Sequence, residues 1–305
     1  MPNPSPITLI AGPTAGGKSA LALRLARAIG GEIVNADALQ LYRDLSILSA
    51  RPNAEDMKDV PHHLFGIADG ADGWSVGRWS REAGVVLAEV AARGRPAIVV
   101  GGTGLYFRAL TQGLADIPPI PRSAAQVAED IFDFQGEPAA RSILRAADAQ
   151  AEARIGAGDR QRLVRAMAVA YATGRSLSDW QAETRPALPE GSWRAVLLEP
   201  PREALYERCN ARMAAMADTG AVAEAAALIA RKLNPSLPVM KAVGLRELAA
   251  HAAGQAPLAE ALAAAQTATR HYAKRQMTWF RHQTPDWPRI DAIDPEGQWR
   301  QFLAL

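Results

Sequence analysis

The strongest constraint on the fold is the segment GPTAGGKS, Gly12 to Ser19. An apolar run, Ile7 to Ala11, precedes it, and a stretch with helical apolar spacing that ends at Gly30-Gly31 follows it. A strand, a glycine loop and a helix in this order favour phosphate binding, because loop N–H groups and the helix N-terminus converge on one anion. The serine hydroxyl at the end of the loop can ligate Mg²⁺. The predicted phosphate site is Gly12, Pro13, Thr14, Ala15, Gly16, Gly17, Lys18 and Ser19.

Apolar runs continue to alternate with helical stretches along the chain. GEIVNAD, PAIVVGG and WRAVLLEP are predicted strands, and SVGRWSREAGVVLAEVAARG is a predicted helix that ends at Gly94. Strands that alternate with helices indicate a parallel sheet covered on both faces, with ligands at the carboxyl ends of the strands. The predicted fold class is therefore α/β.

A helical region interrupts this alternation. The proline cluster DIPPIPR opens it and RPALPEGS closes it, and the apolar residues between them recur at three and four spacing. We predict a core that begins at 1–117, an inserted all-helical subdomain at 118–191, and a second core part at 192–305 that ends in helices.

Composition sets broad limits on function. The 305 residues are 49% hydrophobic and 22% charged, which is typical of a globular protein of one or two domains. We expect no membrane-spanning segment or secretory leader and therefore a cytoplasmic protein. A single cysteine, Cys209, excludes an intramolecular disulfide and a zinc site built on several thiolates. The net charge is −2 over 1–150 and +4 over 151–305, so the second half suits either a polyanionic partner or a solvated basic surface.

The sequence does not favour hydrolysis of a nucleoside triphosphate. In nucleotide hydrolases and kinases a strand ends in an aspartate that holds Mg²⁺, whereas PAIVV runs into Gly101-Gly102-Thr103-Gly104. The candidate acid is Asp37, which follows the second predicted strand and would lie near the phosphate loop. Its carboxylate suits an Mg²⁺ ligand or a general base, and a turn or helix cap is the alternative role.

A basic segment near the C-terminus, RHYAKRQMTWFRHQ at 270–283, separates into two faces when it is projected as a helix. The cationic side chains share an arc of about 140° with Thr278. The rest of the helix surface is taken by Tyr272, Ala273, Gln276, Met277, Trp279, Phe280 and Gln283. The segment contains no acid, which favours contact with nucleic-acid phosphates over an unengaged surface. Further basic residues that would support the same partner are Arg160, Arg162, Arg165, Lys241 and Arg246.

Six segments together resemble the bacterial tRNA dimethylallyltransferases, which attach a prenyl group to the exocyclic amine of the adenosine 3′ of the anticodon. They are GPTAGGKS, NADALQLYR, DVPHHL, VGGTGLYFRAL, MKAVGLREL and TRHYAKRQMTWFR, in the order found in that family. The resemblance implies a P-loop NTPase-like parallel core with a helical insertion, and dimethylallyl diphosphate instead of ATP in the loop. It implies Mg²⁺ as cofactor and the tRNA anticodon stem-loop as partner, and we expect a monomer that uses no membrane.

The resemblance also implies roles for single residues. Asp37 would take the proton of the adenine amine, Ser19 and Asp37 would hold Mg²⁺, and Thr103 and Arg212 would hold the diphosphate leaving group. The residues implied to read the flipped-out base are Asp37, Ala38, Leu39 and Gln40. The residues implied to contact tRNA elsewhere are Gln161, Arg162, Leu163, Val164, Arg165, Lys241, Ala242, Val243, Gly244, Leu245, Arg246, Lys274, Arg275, Gln276, Met277, Thr278, Trp279, Phe280 and Arg281.

Some features depart from the family, and other functions stay open. Gly16 and Ala38 stand where serine is frequent in the family, and His62-His63 lacks the further ligands of a metal site. The alternatives are a small-molecule kinase with the same loop, an enzyme that prenylates free AMP or ATP, and a non-catalytic P-loop protein that binds RNA.

Overall fold

The computed structural model of the chain describes residues 7–305, and a parallel sheet of six strands organises most of them. The strands are β1 (Ile7–Ala11), β2 (Glu32–Asn35), β3 (His62–His63), β4 (Ala97–Gly101), β5 (Trp193–Leu198) and β6 (Arg289–Ile290). Their order in the sheet is β3-β2-β4-β1-β5-β6, and every neighbouring pair is parallel. The predicted α/β class and its four longer strands are confirmed. The edge strands β3 and β6 have two residues each and therefore carry no periodic signal.

Helices account for most of the remaining chain. They are α1 (Lys18–Ile29), α2 (Val76–Ala92), α3 (Gly104–Thr111), α4 (Arg122–Ala147), α5 (Ala149–Arg154), α6 (Arg160–Thr173), α7 (Leu177–Ala182), α8 (Arg202–Asp218), α9 (Ala221–Ala230), α10 (Leu245–Ala252), α11 (Leu258–Gln283) and α12 (Pro295–Leu303). Within the described range no single helix is long and apolar enough to cross a membrane. The bent pair α8 and α9 passes that test only when both helices are taken together, across a bend of 71°.

The predicted ends of the first two helices are set by local chemistry. α1 ends at Gly30, whose φ of 66° is the left-handed conformation that glycine adopts without strain. α2 begins after Ser75, whose hydroxyl accepts the Arg78 N–H at 3.1 Å. The sequence did not predict α3, because this helix is short and the glycine-rich segment before it resembles a loop.

Both faces of the sheet are covered, as a parallel sheet requires. Successive strand residues point to opposite faces, so Leu9 packs in a core with Phe280 of α11, whereas Ile10 packs in a second core with Leu25 of α1 and Phe302 of α12. The carboxyl ends of β1, β2, β4 and β5 lie at one edge of the sheet and lead into the loops described below.

The chain divides into two compact units. One contains the described residues up to Thr111 together with Leu188–Leu305, and the other is Gln112–Ala187. The second unit contains α4 to α7 and packs around its own core, in which Ala140 and Leu144 are fully buried. Leu188 is buried in the larger unit and donates its N–H to the Leu110 carbonyl at 2.9 Å, so the chain is back in the larger unit before the expected boundary at residue 191.

Candidate active site

The phosphate loop connects β1 to α1 and depends on two glycines. Gly12 and Gly17 have φ values of 152° and 95°. A Cβ at Gly12 would lie 2.8 Å from the Leu198 carbonyl oxygen, and one at Gly17 would lie 2.5 Å from the Gln298 amide oxygen. Larger residues are therefore excluded at both positions. Gly17 immediately precedes α1, so the N–H groups of the first helical turn face the loop and can bind an anion.

Two buried glutamines hold the loop in place. The Gln276 side chain, on α11, accepts the Thr14 N–H at 2.8 Å and donates to the Gly102 carbonyl at 2.8 Å. The Gln298 side chain, on α12, donates to the carbonyls of Gly16 at 2.9 Å and Ala292 at 3.0 Å. Both side chains are over 90% buried, and each makes two hydrogen bonds to backbone atoms, at least one of them in the loop, so the loop is held in place before any ligand binds.

Two cations and one acid meet beside the loop. The Lys18 ammonium donates to the Pro13 carbonyl at 2.6 Å, and burial lowers its pKa to about 8, although the nearby Asp37 charge opposes that shift. Burial also lowers the pKa of Arg212, on α8, again against the attraction of Asp37. Within residues 7–305 the Arg212 guanidinium makes no hydrogen bond or ion pair. The site therefore has unused positive charge.

Asp37 is positioned by a tight turn after β2. Its N–H donates to the Asn35 side chain at 2.7 Å, and its Oδ1 accepts the Leu39 N–H at 3.0 Å. The Thr103 hydroxyl accepts the Ala38 N–H at 3.0 Å and so fixes the same turn from the end of β4. One Asp37 oxygen thus has the capping role that the sequence left open, while no neighbour within the described chain occupies Oδ2.

These groups line cavities that share residues. A cleft of about 390 Å³ is formed by Ala15 to Ala20 with Arg208, Ala211 and Arg212. Deeper in the site, Lys18, Ser19, Asp37 and Arg212 line a smaller cavity with Thr14 and Gln40. A third cavity shares Asp37 and Arg212 with it but is otherwise largely apolar. The apolar side chains of that third cavity are Leu39, Leu48, Met213, Met216 and Val243.

The wall of the apolar cavity is anchored by an acid that sequence reasoning missed. The Glu224 carboxylate, on α9, accepts N–H groups of Ser46 at 2.7 Å, Ile47 at 2.9 Å and Leu48 at 2.8 Å. Gln40 donates to the next carbonyls of this loop, Ser49 at 2.9 Å and Ala50 at 3.1 Å. The Gln40 amide, expected to read the base, therefore also holds the pocket wall.

The residues expected to contact tRNA include exposed side chains, which are mostly charged, and buried ones, which are mostly apolar but include Gln276. On α11, Phe280 is fully buried and Gln276 is 6% exposed, so neither lies on the outer surface. Trp279 is half-buried and packs over Gly104. In the same unit Ala242 and Leu245 are buried, and in the helical unit Leu163 and Val164 belong to its core. The exposed members are Gln161, Arg162, Arg165, Lys241, Arg246, Lys274, Arg275, Thr278 and Arg281.

A magnesium ion fits the oxygen atoms at this site. The described residues contain no cluster of three or more histidine, cysteine or acidic side chains. The Ser19 hydroxyl and the Asp37 carboxylate do line one cavity, and the Asp37 Oδ2 is unpaired. Mg²⁺ is typically held by one or two such protein oxygens together with waters and substrate phosphates. His62 and His63 lie away from this cavity, and His63 contacts the buried Glu32 carboxylate at 2.7 Å.

Fold and site together define a P-loop-type α/β protein in which a cavity lined by Lys18, Asp37 and Arg212 shares residues with a second cavity that has apolar lining. The sequence model of the family described as IPP transferase matches residues 40–283, and the one described as isopentenyl transferase matches residues 5–64. The chain belongs to the IPP transferase family.

Individual relatives are similar to this chain over nearly its whole length. A tRNA dimethylallyltransferase of Caulobacter sp. (strain K31) is 57% identical over 297 residues, which cover 97% of this chain and 96% of that protein. One from Phenylobacterium zucineum (strain HLK1) is 60% identical over 298 residues, covering 98% and 96%. The tRNA isopentenylpyrophosphate transferase of Bacillus halodurans has a TM-score of 0.68 at 30% identity, covering 98% of this chain and 95% of that one. A eukaryotic dimethylallyltransferase acting on tRNA has a TM-score of 0.82 at 25% identity, covering 95% and 74%.

Proposed function

We propose that this protein transfers a dimethylallyl group from dimethylallyl diphosphate to the N6 amine of the adenosine 3′ of the anticodon in tRNA, releasing diphosphate. One observation carries the proposal: Lys18 and Arg212 form a cationic site that meets an apolar pocket at Asp37. Relatives of 57% and 60% identity named tRNA dimethylallyltransferase support it. We propose that the enzyme works as a monomer in the cytoplasm, where its substrate tRNA is found.

The diphosphate binds at the loop, where charge develops as the C–O bond breaks. The N–H groups at the start of α1, Lys18 and Arg212 stabilise this charge without reorganising, because the loop is already fixed by Gln276 and Gln298. Thr103 holds the adjoining turn, because its hydroxyl accepts the Ala38 N–H. Ser19 and Asp37 are the residues that would hold Mg²⁺, which would supply Lewis-acid stabilisation of the leaving group.

The prenyl chain occupies the apolar pocket. Leu48, Met213 and Met216 provide the apolar part of its surface, and the hydroxyl-bearing side chains of Ser49, Thr269 and Tyr272 line the same cavity. Burying a CH₂ group contributes about 0.8 kcal/mol, so this pocket adds a few kcal/mol to binding. Apolar contact on one side and charge on the other fix the orientation of the donor.

The adenine amine needs a base because its lone pair is delocalised into the ring. Asp37 has one oxygen engaged with Leu39 and the other open to the cavity, so it can accept the amine proton as the C–N bond forms. The target base leaves its stack to reach this point, which costs a few kcal/mol and less in a loop than in a duplex. The exposed cations of α11, Lys274, Arg275 and Arg281, are suited to the tRNA phosphates.

One assay tests this function against its alternatives. Protein and Mg²⁺ are incubated with labelled dimethylallyl diphosphate and either unmodified tRNA, AMP or ATP. We expect label in tRNA alone. Label in AMP or ATP would favour a free-nucleotide prenyltransferase, and tRNA binding without consumption of the donor would favour a non-catalytic protein. The kinase alternative is tested in a parallel incubation with ATP and a metabolite, in which transfer of phosphate to the metabolite would favour a kinase.

Binding of the donor should weaken as the pH rises through about 8. The Lys18 ammonium is charged below its pKa of about 8 and attracts the diphosphate only in that form. Calorimetric titration above the pH at which the diphosphate is fully ionised should reveal this decline. Lys18→Met should bind weakly at neutral pH and lose the dependence. A wild-type affinity that stays constant between pH 7 and 9 would contradict a role for Lys18 in binding.

The same group should affect the stability of the free protein in the opposite direction. The unfolded chain keeps the Lys18 proton up to an ordinary pKa of 10.5, whereas the folded chain releases it at about 8. Between these values the unfolded state binds more protons, so this group makes the free energy of unfolding rise with pH.

A further inference from the structure

A separate cleft lies between the N-terminal part of α8 and the C-terminal half of α11. It encloses about 310 Å³, within the range of small-ligand sites, and shares no lining residue with the cavities around Asp37. Leu205, which is 1% exposed, and the half-buried Met277 contribute apolar surface. The proposed transfer chemistry leaves this cleft unused.

The charge of the cleft favours an anion. Its one acid, Glu199, already pairs with Arg281 at 2.9 Å and with Arg289 at 3.2 Å. Arg202 and Lys274 also line the cleft, and in residues 7–305 neither has an acidic partner. The cleft therefore keeps positive charge beside its apolar surface.

The lining of the cleft also includes an aromatic ring and a guanidinium group that contact each other. The Arg202 guanidinium lies 5.1 Å from the centroid of the Tyr206 ring, and its Nε donates to the Tyr206 hydroxyl at 3.0 Å. Aromatic rings and guanidinium planes are the two surfaces that proteins use to stack unpaired bases of RNA. An aliphatic or purely phosphate ligand would not need this pair.

The cleft is continuous with the exposed cationic side of α11. Lys274, Thr278 and Arg281 follow each other at helical spacing, so they lie on one stripe. Lys274 and Arg281 can therefore contact a phosphate, while a base attached to the same nucleotide reaches Tyr206.

We propose that this cleft binds one unstacked nucleotide of the RNA substrate, other than the adenosine that is modified. This inference rests on the proposed function, because it assumes that RNA lies along α11. The base stacks on Tyr206 and Arg202, and its phosphate contacts Lys274 and Arg281. Such a nucleotide would set the register of the RNA and thereby help to place the target adenosine.

The test scans the anticodon stem-loop with single abasic nucleotides and measures binding to the full-length wild type, Tyr206→Ala and Tyr206→Phe. For the wild type we expect one position other than the target at which base removal weakens binding about 5- to 100-fold, as expected for loss of base stacking. Tyr206→Ala should bind the unmodified stem-loop more weakly by a similar factor and be insensitive to base removal at that position. Tyr206→Phe keeps the ring and should retain the wild-type pattern, which also checks folding.

A phosphate contact gives a different pattern. Lys274→Gln should weaken all stem-loops about equally and reduce the slope of log affinity against log salt by about one. The proposal would be overturned if Tyr206→Ala bound the unmodified stem-loop as tightly as the wild type. It would also be overturned if base removal weakened binding to Tyr206→Ala at every position where it weakens binding to the wild type. The proposal would also be overturned if Tyr206→Ala lost binding of AMP while its binding of RNA stayed intact. If the wild type transfers no prenyl group to tRNA, the proposed function fails, and the abasic scan still decides whether the cleft holds a base.

Discussion

Replacing Asp37 by asparagine should slow prenyl transfer by about 10²- to 10⁴-fold, the range that a general base contributes. Asparagine keeps the oxygen that accepts the Leu39 N–H, so the turn after β2 should persist while the proton acceptor is lost. The measurement is the single-turnover rate constant with saturating tRNA and donor, together with the dissociation constant for tRNA. We expect the rate constant to fall and the dissociation constant to remain within about twofold.

Two controls separate the possible roles of this carboxylate. Asp37→Ala removes the turn hydrogen bond as well, so a larger loss of tRNA binding than in Asp37→Asn would measure how much the turn contributes. A titration with Mg²⁺ distinguishes a base from a metal ligand. If excess Mg²⁺ restores the Asp37→Asn rate, the carboxylate acts mainly on the metal. If Asp37→Asn turns over at the wild-type rate without excess Mg²⁺, both roles are excluded.

The core of the fold was predictable because its signals are local. An apolar run, a glycine loop and a helix closed by Gly30 lie in adjacent residues, and each is specific by its own chemistry. The residues that hold the loop are not local. Gln276 and Gln298 bond to loop residues 262 and 282 positions away, and no local motif marks either amide as a partner of the loop. Only the fold brings them to the loop.

The C-terminal part of α11 illustrates what periodicity can and cannot predict. The projection separated the basic residues from Ala273, Gln276 and Phe280, and these three are indeed the buried side chains of that segment. The family resemblance implied tRNA contact for the whole stretch 274–281, which includes Gln276 and Phe280. Consecutive residues cover both faces of a helix, so buried side chains were included. The exposed members of that stretch remain a prediction for the tRNA surface.

The apolar pocket was not predicted from the residues that form it. Leu48, Met213 and Met216 have the same pattern as ordinary core residues of a loop and a helix. Their role depends on Glu224, which fixes the loop before Ser49 through three backbone N–H groups. Because a carboxylate that binds backbone from a distant helix leaves no motif, this pocket wall becomes visible only in three dimensions.

Replacing Arg212 by glutamine should reduce prenyl transfer by about 10²- to 10³-fold without lowering the melting temperature of the free protein. The guanidinium faces the cavity without a hydrogen bond or ion pair in the described chain, and burial lowers its pKa, so its charge is held at a cost to the unliganded fold. That charge becomes useful when the diphosphate departs, and removing one donor of this kind typically slows a reaction by this factor. Arg212→Lys should recover part of the rate, because it keeps the charge and loses the planar donor pair.

Thermal unfolding with and without donor makes the test specific. The donor should raise the melting temperature of the wild type, and this rise should be smaller in Arg212→Gln, because the stabilisation by a ligand of the native state grows with the logarithm of ligand concentration over Kd. Arg81→Gln, an exposed change on α2 that also removes one charge, should match the wild type in both rate and donor-induced shift. A residue that only supports the fold would lower the melting temperature and the rate together and leave the donor-induced shift intact. Lower activity with unchanged or higher stability would instead identify Arg212 as a charge that the protein maintains for its leaving group.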